Sequence, residues 1–283
     1  MQEIYYDSLT KSRIDPGKDI LSWDQWKNGD SGKCCRHPDN FLIFVKNQFL
    51  EINDEYAEGD PYSVTKNIKG SFHQRRFKNT LHLLKKYAGH KGGLKILDLA
   101  CGEGHLTNEV KSTFPNHDVY GFDYSVSAIQ FAHTHYPAIE FSVADAYDAP
   151  YEDDYFDVVI LNNIWEHVPD PIRLLREAQR ILKKGGGLVV STPSRYRFSN
   201  LLRVLQGKQI TFMSKLHVTE YTIGQIKEQL YYANFEVSQV YSESIREQRV
   251  PVHLLKMVLG FVLRVIKSHH VLESTVFYLA VKK

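Results

Sequence analysis

Cysteine is scarce in this sequence: three in 283 residues, Cys34, Cys35 and Cys101. Their number and spacing cannot build a disulfide framework. A reducing compartment, the cytoplasm, is the expectation. Cys34-Cys35-x-His37 has the look of half a zinc site, but no second ligand pair at finger-like spacing accompanies it, so ordinary thiols are expected. Long apolar runs are also missing: none approaches the ~20 residues that a membrane-spanning helix needs. The opening "MQEIYYDSLTKSRIDPGKD" has no basic head followed by an apolar stretch, so no signal peptide is expected. Nor does one charge dominate. Lys and Arg number 35 against 33 Asp and Glu, and a net charge of +2 gives no electrostatic case for nucleic acid as an obligatory partner. There is no internal repeat and no low-complexity tract.

What is present is an alternation. Residues 1–70 are rich in aromatics, Asp, Asn and Gly with weak periodicity, and read as an N-terminal extension that helps form a substrate site or lid. Within it, 40–56 ("NFLIFVKNQFLEINDEY") predicts a helix. Residues 71–89 predict a better one: Phe72, Phe77, Leu81, Leu84 and Tyr87 make an apolar stripe, and Gly89 suits the stop. From 94 onward strands and helices take turns. "LKILDLA", "DVYGFD", "IEFSVAD", "YFDVVILNN" and "GLVVSTP" read as strands. "HLTNEVKSTF", "SVSAIQFAHTHY" capped by Ser125, and "PDPIRLLREAQRILKKGG" read as helices between them. Such alternation means a doubly wound α/β fold, a mostly parallel sheet covered on both faces. A helix ("TIGQIKEQLYYANF") and two strands ("EVSQVYSE", "STVFYLAVKK") complete a domain spanning 71–283. Two long connections, 193–218 and 245–272, interrupt it. Connections that leave the carboxyl ends of parallel strands lie on the face where such sheets bind ligands, so both are expected to build or cover a pocket.

The most informative stretch is "LKILDLACGEGHLTNEV" (94–110). An apolar strand ends in Asp98, and Gly102 and Gly104 follow. Glycines there let the backbone turn sharply and approach a ligand closely, while the next helix presents its first N–H groups. Asp123 ends the second strand, where a carboxylate accepts ribose hydroxyls, and Asp145 ends the third, beside where an adenine lies. Each acid alone reads equally well as a turn or helix cap. Together with the glycine turn they predict a pocket for an adenosine-type ligand. A dinucleotide site needs a third glycine where this chain has Thr107, which counts against a nicotinamide oxidoreductase.

These segments resemble the class I S-adenosylmethionine-dependent methyltransferases, in the small-molecule branch that includes the ubiquinone-type O-methyltransferases. "ILDLACGEGHLT", "VYGFDYS", "VADAYDAPYEDDYFDVVILNNIWEHVPDP" and "EAQRILKKGGGLVVSTPS" resemble successive family motifs over 94–192, and 217–242 follows more loosely. The resemblance implies a Rossmann-like sheet of seven strands, mostly parallel, with an antiparallel last strand that "STVFYLAVKK" would supply, preceded by a helical N-terminal extension. It implies S-adenosyl-L-methionine as cofactor and S-adenosyl-L-homocysteine as product. On this reading Asp98 and the backbone of Ala100, Gly102 and Gly104 surround the cofactor's methionine part. Asp123 holds the ribose hydroxyls, with Tyr124 beside the adenine, and Asp145 and Ala146 meet the adenine edge. Asn162 lies next to the sulfonium. Arg76 either pairs with the cofactor carboxylate or belongs to a solvated basic face in "HQRR". Ubiquinone-type relatives carry Glu-x-x-Glu-His at a divalent ion, but Asn163 replaces the first carboxylate here, so no metal is expected. Asp157, opening the fourth strand, reads as structural.

Methyl transfer to a hydroxyl, or less readily to an amine, also removes a proton, and histidine is the commonest base. His167, just past the fourth strand, and His217, ending the first long connection, are the candidates; each reads equally as a histidine bonded to a backbone carbonyl. His133 and His135 read as solvated helix positions. Residues 195–216 combine aromatics and cations with no acid, which suits either an anionic small-molecule acceptor, such as a sugar- or nucleotide-linked one, or a solvated basic lid. In 252–267, His253, Lys256, Gly260, Arg264 and Lys267 form one polar stripe on an otherwise apolar helix. Such a helix is expected to be buried, as a lid or homodimer contact; a membrane interface, with the protein peripheral to it, is the other setting. The leading expectation is an enzyme methylating a small molecule. Methylation of a lipid-linked acceptor at a membrane surface and a non-catalytic adapter keeping the fold are the alternatives.

Overall fold

Apolar runs without polar interruption become strands covered on both faces, and the computed structural model bears this out for the centre of the chain. The structure describes residues 5–7, 10, 12–15, 18–29, 33–45, 71–89, 91–242, 250–268 and 270–283. In chain order the strands are β1 (Tyr6–Asp7), β2 (Ser12–Arg13), β3 (Ile20–Leu21), β4 (Cys34–Arg36), β5 (Leu42–Ile43), β6 (Lys95–Leu99), β7 (Asp118–Asp123), β8 (Glu140–Val143), β9 (Phe156–Asn162), β10 (Leu182–Pro193), β11 (Phe235–Tyr241) and β12 (Thr275–Lys282). Ten of them form one sheet in the order β11-β12-β10-β9-β6-β7-β8-β5-β4-β3. From β10 to β8 every neighbouring pair is parallel. β12 runs antiparallel to both β10 and β11, as expected of the last strand.

Period-two side-chain alternation divides the core. Ile96, Val158 and Val189 face the helices Ser71–Ala88 and His105–Thr113. Leu97, Val159 and Leu188 face Pro171–Ile181 and Ile223–Tyr232. The helix Val126–His135 packs on the β8 side. Helix starts follow their caps: Ser125 Oγ accepts the Ala128 N–H, Asp170 the Arg173 N–H ahead of Pro171, and Thr222 forms a capping box with Gln225. Gly89, at φ +53°, ends the first long helix.

Five expectations need correction. The sheet has ten strands rather than seven, because three short strands from the N-terminal segment extend it past β8. That segment, where described, is mainly short strands with one short helix, Trp23–Lys27, not a helical extension. Residues 42–43, expected inside a helix, pair with Ser142 and Val143, because the open edge of β8 offers hydrogen bonds to buried Leu42 and Ile43; residues 46–56 of that expected helix lie outside the described residues. The helix expected through 186 stops at Ile181, where Leu182 turns extended and pairs with Phe156.

The fifth concerns Val250–Val265. Its apolar side chains are not buried against the rest of the chain, as a lid would bury them: Phe261 is 65%, Val265 63% and Leu254 62% accessible. Of the polar stripe, Lys256 meets the body, pairing with Glu273 at 2.9 Å, while Arg264 and Lys267 are exposed; the side chain of His253 lies outside the described residues. No described helix is long and apolar enough to cross a membrane. Cys34 and Cys35 are buried, and burial pushes both thiols up to about 12. Asp157 is structural: it accepts the Lys95 N–H at 2.9 Å and pairs with Lys183 at 2.8 Å.

Arg180 ties the helix before β10 to the loop before β9. It donates to the Ala149 and Tyr151 carbonyls at 2.8 and 2.7 Å and pairs with Glu177 at 2.6 Å and Asp153 at 2.8 Å. Arg180→Met should lower stability by roughly 2–4 kcal/mol, because carbonyls and Glu177 lose a largely buried donor. Urea unfolding checks this; a change below about 0.5 kcal/mol would contradict it.

Candidate active site

The site forms where β6, β7, β8 and β9 end together. After Leu99 the chain passes through three left-handed positions, Ala100 (φ +60°), Gly102 (+54°) and Gly104 (+73°). Gly104 is required twice over: its φ favours glycine, and a Cβ would stand 2.8 Å from the Phe141 ring. The helix His105–Thr113 therefore starts close to the sheet, capped by a glycine with no side-chain hydrogen bond. Ala100 in this region stores backbone strain of about 1 kcal/mol or more, a common mark of a functional turn.

Asp123 anchors the turn. One carboxylate oxygen accepts the Gly102 N–H at 2.8 Å and the other the Ser125 N–H at 3.0 Å. Asp145 accepts the Tyr147 N–H at 2.8 Å, shaping the turn after β8. With Tyr124, Ala146 and Ile164 they line a crevice of about 330 Å³. A second hollow of about 270 Å³ is lined by Arg76, Asp98, His105, Asn162 and His217. Ala100, Asn163 and His167 line both, so they are two lobes of one cleft.

Asp98 is almost wholly buried (1% accessible). Its Oδ2 accepts the Thr107 hydroxyl at 2.7 Å, and its Oδ1 has no hydrogen-bond partner. Burial raises its pKa to about 7, helped by the charge of Asp123 and opposed by Thr107 and Arg76. A buried acceptor left open on a cleft is a place for a ligand's donor. Thr107, read from sequence only as a reason against a dinucleotide, thus holds the acid.

The other lobe is built after β9. The Ser191 hydroxyl bonds the Asn162 side-chain oxygen and lies 3.0 Å from that of Asn163. Asn163, left-handed at φ +58°, donates to Glu166 at 2.7 Å, and Arg76 donates to Asn163 at 3.4 Å. Glu166 is fully buried, also accepts from Thr192, and its carbonyl accepts the Val218 N–H at 2.8 Å. That bond brings the end of the 193–218 connection against the turn. His167 and His217 consequently meet, ring centroids 4.9 Å apart and nearly perpendicular. Burial pushes His167 down to about 4, with His217 adding to it and a hydrogen bond to the Leu216 backbone opposing it. His167 is therefore neutral near pH 7 and suited to hydrogen bonding.

His217 Nδ1 lies 2.9 Å from Glu220, whose other oxygen pairs with buried Arg197. Burial works to raise the Glu220 pKa, but hydrogen bonds from His217, the Met213 N–H and Arg197 outweigh it and hold the carboxyl below its ordinary range. An ionised carboxylate only accepts, so Nδ1 carries a proton toward Glu220. Glu166, His167 and His217 offer ligand atoms within 4.8 Å of one another and could hold a cation, a grouping that replacement of one carboxylate by Asn163 did not foretell. Glu166 meets it with both oxygens already accepting.

The structure brings every expected site residue to the carboxyl edge: Asp98, Ala100, Asp123, Tyr124, Asp145, Ala146, Asn162, His167, His217 and Arg76 line the cleft, and Gly102 and Gly104 form the left-handed turn that follows Ala100. Sequence reasoning missed Thr107, Asn163 as a hydrogen-bonding hub, and Glu220. For Glu220 the signal was present, an acid three residues after His217. His133 and His135 sit on the Val126–His135 helix, outside the cleft.

A parallel sheet with a glycine turn and an acid at each of three successive strand ends defines a nucleoside-cofactor enzyme fold. Residues 90–244 match a family described as a methyltransferase domain, more than half of the chain, and the protein belongs to that family. The family's cofactor, S-adenosylmethionine, fits the cleft: two strand-end acids suit its nucleoside, and open Asp98 Oδ1 suits its ammonium. A probable S-adenosylmethionine-dependent methyltransferase of Mycolicibacterium smegmatis is 28% identical over 153 residues, 54% of this chain and 56% of that protein. The demethylmenaquinone methyltransferase of Thermotoga maritima is 34% identical over 96 residues, 34% of this chain and 42% of that protein. The match thus spans about half the length of these curated relatives. In fold, a putative methyltransferase of Bacillus halodurans superposes with a TM-score of 0.51 at 20% identity, over 72% of this chain and 99% of that one.

The native state holds the Asp98 proton more tightly than the unfolded chain does. Stability should therefore fall as pH rises from about 4 to about 7. Asp98→Asn should stabilise the ligand-free protein by roughly 1–3 kcal/mol at about pH 8, and the gain should vanish near pH 4. Scanning calorimetry at the two pH values checks this; an equal gain at both would refute the assignment.

Proposed function

We propose that the protein transfers a methyl group from S-adenosylmethionine to a hydroxyl of a small molecule, with His217 as the base. One observation carries this reading. His217, backed by buried Glu220, lines the same lobe as Asp98 and Asn162, so a proton acceptor and the cofactor's reactive end share one space. Bound, the cofactor supplies an activated methyl carbon and a thioether leaving group. The chain supplies the rest. Asp98, Asp123 and Asp145 hold the cofactor in register at three strand ends, and alignment of this kind can be worth about 7–11 kcal/mol. Nε2 of His217 takes the hydroxyl proton, and Glu220 orients the ring and stabilises the imidazolium that results. Neutral His167 positions the acceptor.

Arg197 and Arg203 turn to the protein's own groups, the first to Glu220 and the second to the Gln209 carbonyl at 2.6 Å. These two arginines of the 193–218 connection therefore favour a structural part in the connection over binding a phosphorylated acceptor.

S-adenosylmethionine and S-adenosylhomocysteine should raise the melting temperature and NAD should not. Absence of a shift with both sulfur ligands would end the methyl-transfer reading. His217→Gln should lower turnover about 10²–10⁴-fold while cofactor affinity stays within about threefold. Titration calorimetry beside single-turnover assays separates the two, and unchanged turnover would remove His217 as the base.

A further inference from the structure

The Val250–Val265 helix is mounted inside out. At 3.6 residues per turn, Lys256, Gly260 and Leu263 lie on the side turned to the body, and Lys256 reaches Glu273 there. The opposite side, an arc of about 180°, presents Leu254, Val258, Phe261, Val262 and Val265, all exposed. A helix standing in water does the reverse, so this face belongs against something apolar.

The sheet topology says where it points. β11 runs parallel to β10, since both are antiparallel to β12. The connection carrying this helix therefore leaves the same edge of the sheet as the cleft and returns at Thr275, opposite Pro193. There it meets the 193–218 connection: the Phe198 N–H donates to the Leu272 carbonyl at 3.0 Å, and His270 bonds the Tyr196 carbonyl at 2.9 Å. That connection has its own exposed apolar residues, Leu205 at 79%, Leu216 at 57% and Val218 at 54%. Leu216 also lines the cleft.

Charge selects the occupant. Residues 194–219 and 250–272 contain no Asp or Glu, and Lys208, Lys215, Arg264 and Lys267 are exposed among the apolar residues. Two copies docked through this face would set cation against cation with no acid to pair. An anionic lipid surface pairs with both components at once, acyl chains with the apolar arc and headgroups with the cations.

We propose that the Val250–Val265 helix, with the apolar tips of the 193–218 connection, lies in the interface of an anionic membrane, with the cleft at the same edge of the protein. That lipid-proximal hydroxyl compounds are the acceptors rests on the methyl-transfer reading; the docking itself does not.

Flotation of the full chain with vesicles of phosphatidylcholine alone, or of phosphatidylcholine containing phosphatidylglycerol, tests this. The anionic vesicles should bind about thirtyfold more tightly, and salt should weaken the binding. The V258E/F261E double variant should lose at least about tenfold of that binding while keeping its thermal shift with S-adenosylmethionine, since both positions are solvent-facing. Binding unchanged in this variant would overturn the proposal, as would a lack of flotation. A dimer that the variant dissolves, without vesicle binding, would assign the face to a second copy and equally overturn it. Flotation without any shift by S-adenosylmethionine would leave the docking standing and remove the methyl-transfer reading.

Discussion

The site depends on a carboxyl group buried under a glycine turn. Asp98 is enclosed by the turn above it and held from one side by Thr107, with its other oxygen buried and unpartnered beside the cleft that the residue lines. Taking a carboxyl out of water raises its pKa and costs stability unless a donor replaces the lost hydration. The fold supplies half of that compensation and leaves half to a ligand. The neighbouring features follow from keeping this acid in place. Asp123 holds Gly102 from the side, Gly104 lets the helix close down on Phe141, and Ala100 accepts a left-handed backbone.

The second half of the cleft is assembled from segments distant in sequence. Glu166 takes hydrogen bonds from Asn163, Thr192 and the Val218 backbone, which binds the turn after β9, the end of β10 and the end of the long connection into one unit. Only then do His167 and His217 face each other. The two rings have different surroundings. His167 is desolvated and kept neutral, whereas His217 is oriented by an ionised Glu220 that is itself fixed by Arg197.

Where one strand and its loop carry the chemistry, the sequence was legible. The strand-end acids and Gly102 and Gly104 were readable because period-two apolar runs and turn residues are local signals, and the antiparallel last strand came with the resemblance. The N-terminal strands β3 to β5 were not, because two- and three-residue strands leave no periodicity; they exist because β8 offers an open edge. The orientation of the Val250–Val265 helix was beyond reach for a related reason. Its stripe was visible, but its inward direction depends on Glu273, which follows the helix in a separate segment. Thr107 was missed because its role lies in a contact made only after folding.

Titration calorimetry of S-adenosylmethionine into the protein near pH 7, repeated in buffers of different ionisation enthalpy, tests the central claim most directly. If Asp98 waits half-protonated for a cationic donor, one equivalent of cofactor should bind and release a fraction of a proton to the buffer. Asp98→Asn should bind more weakly and release none. Absence of binding by the folded protein, or proton release unchanged in Asp98→Asn, would contradict the account.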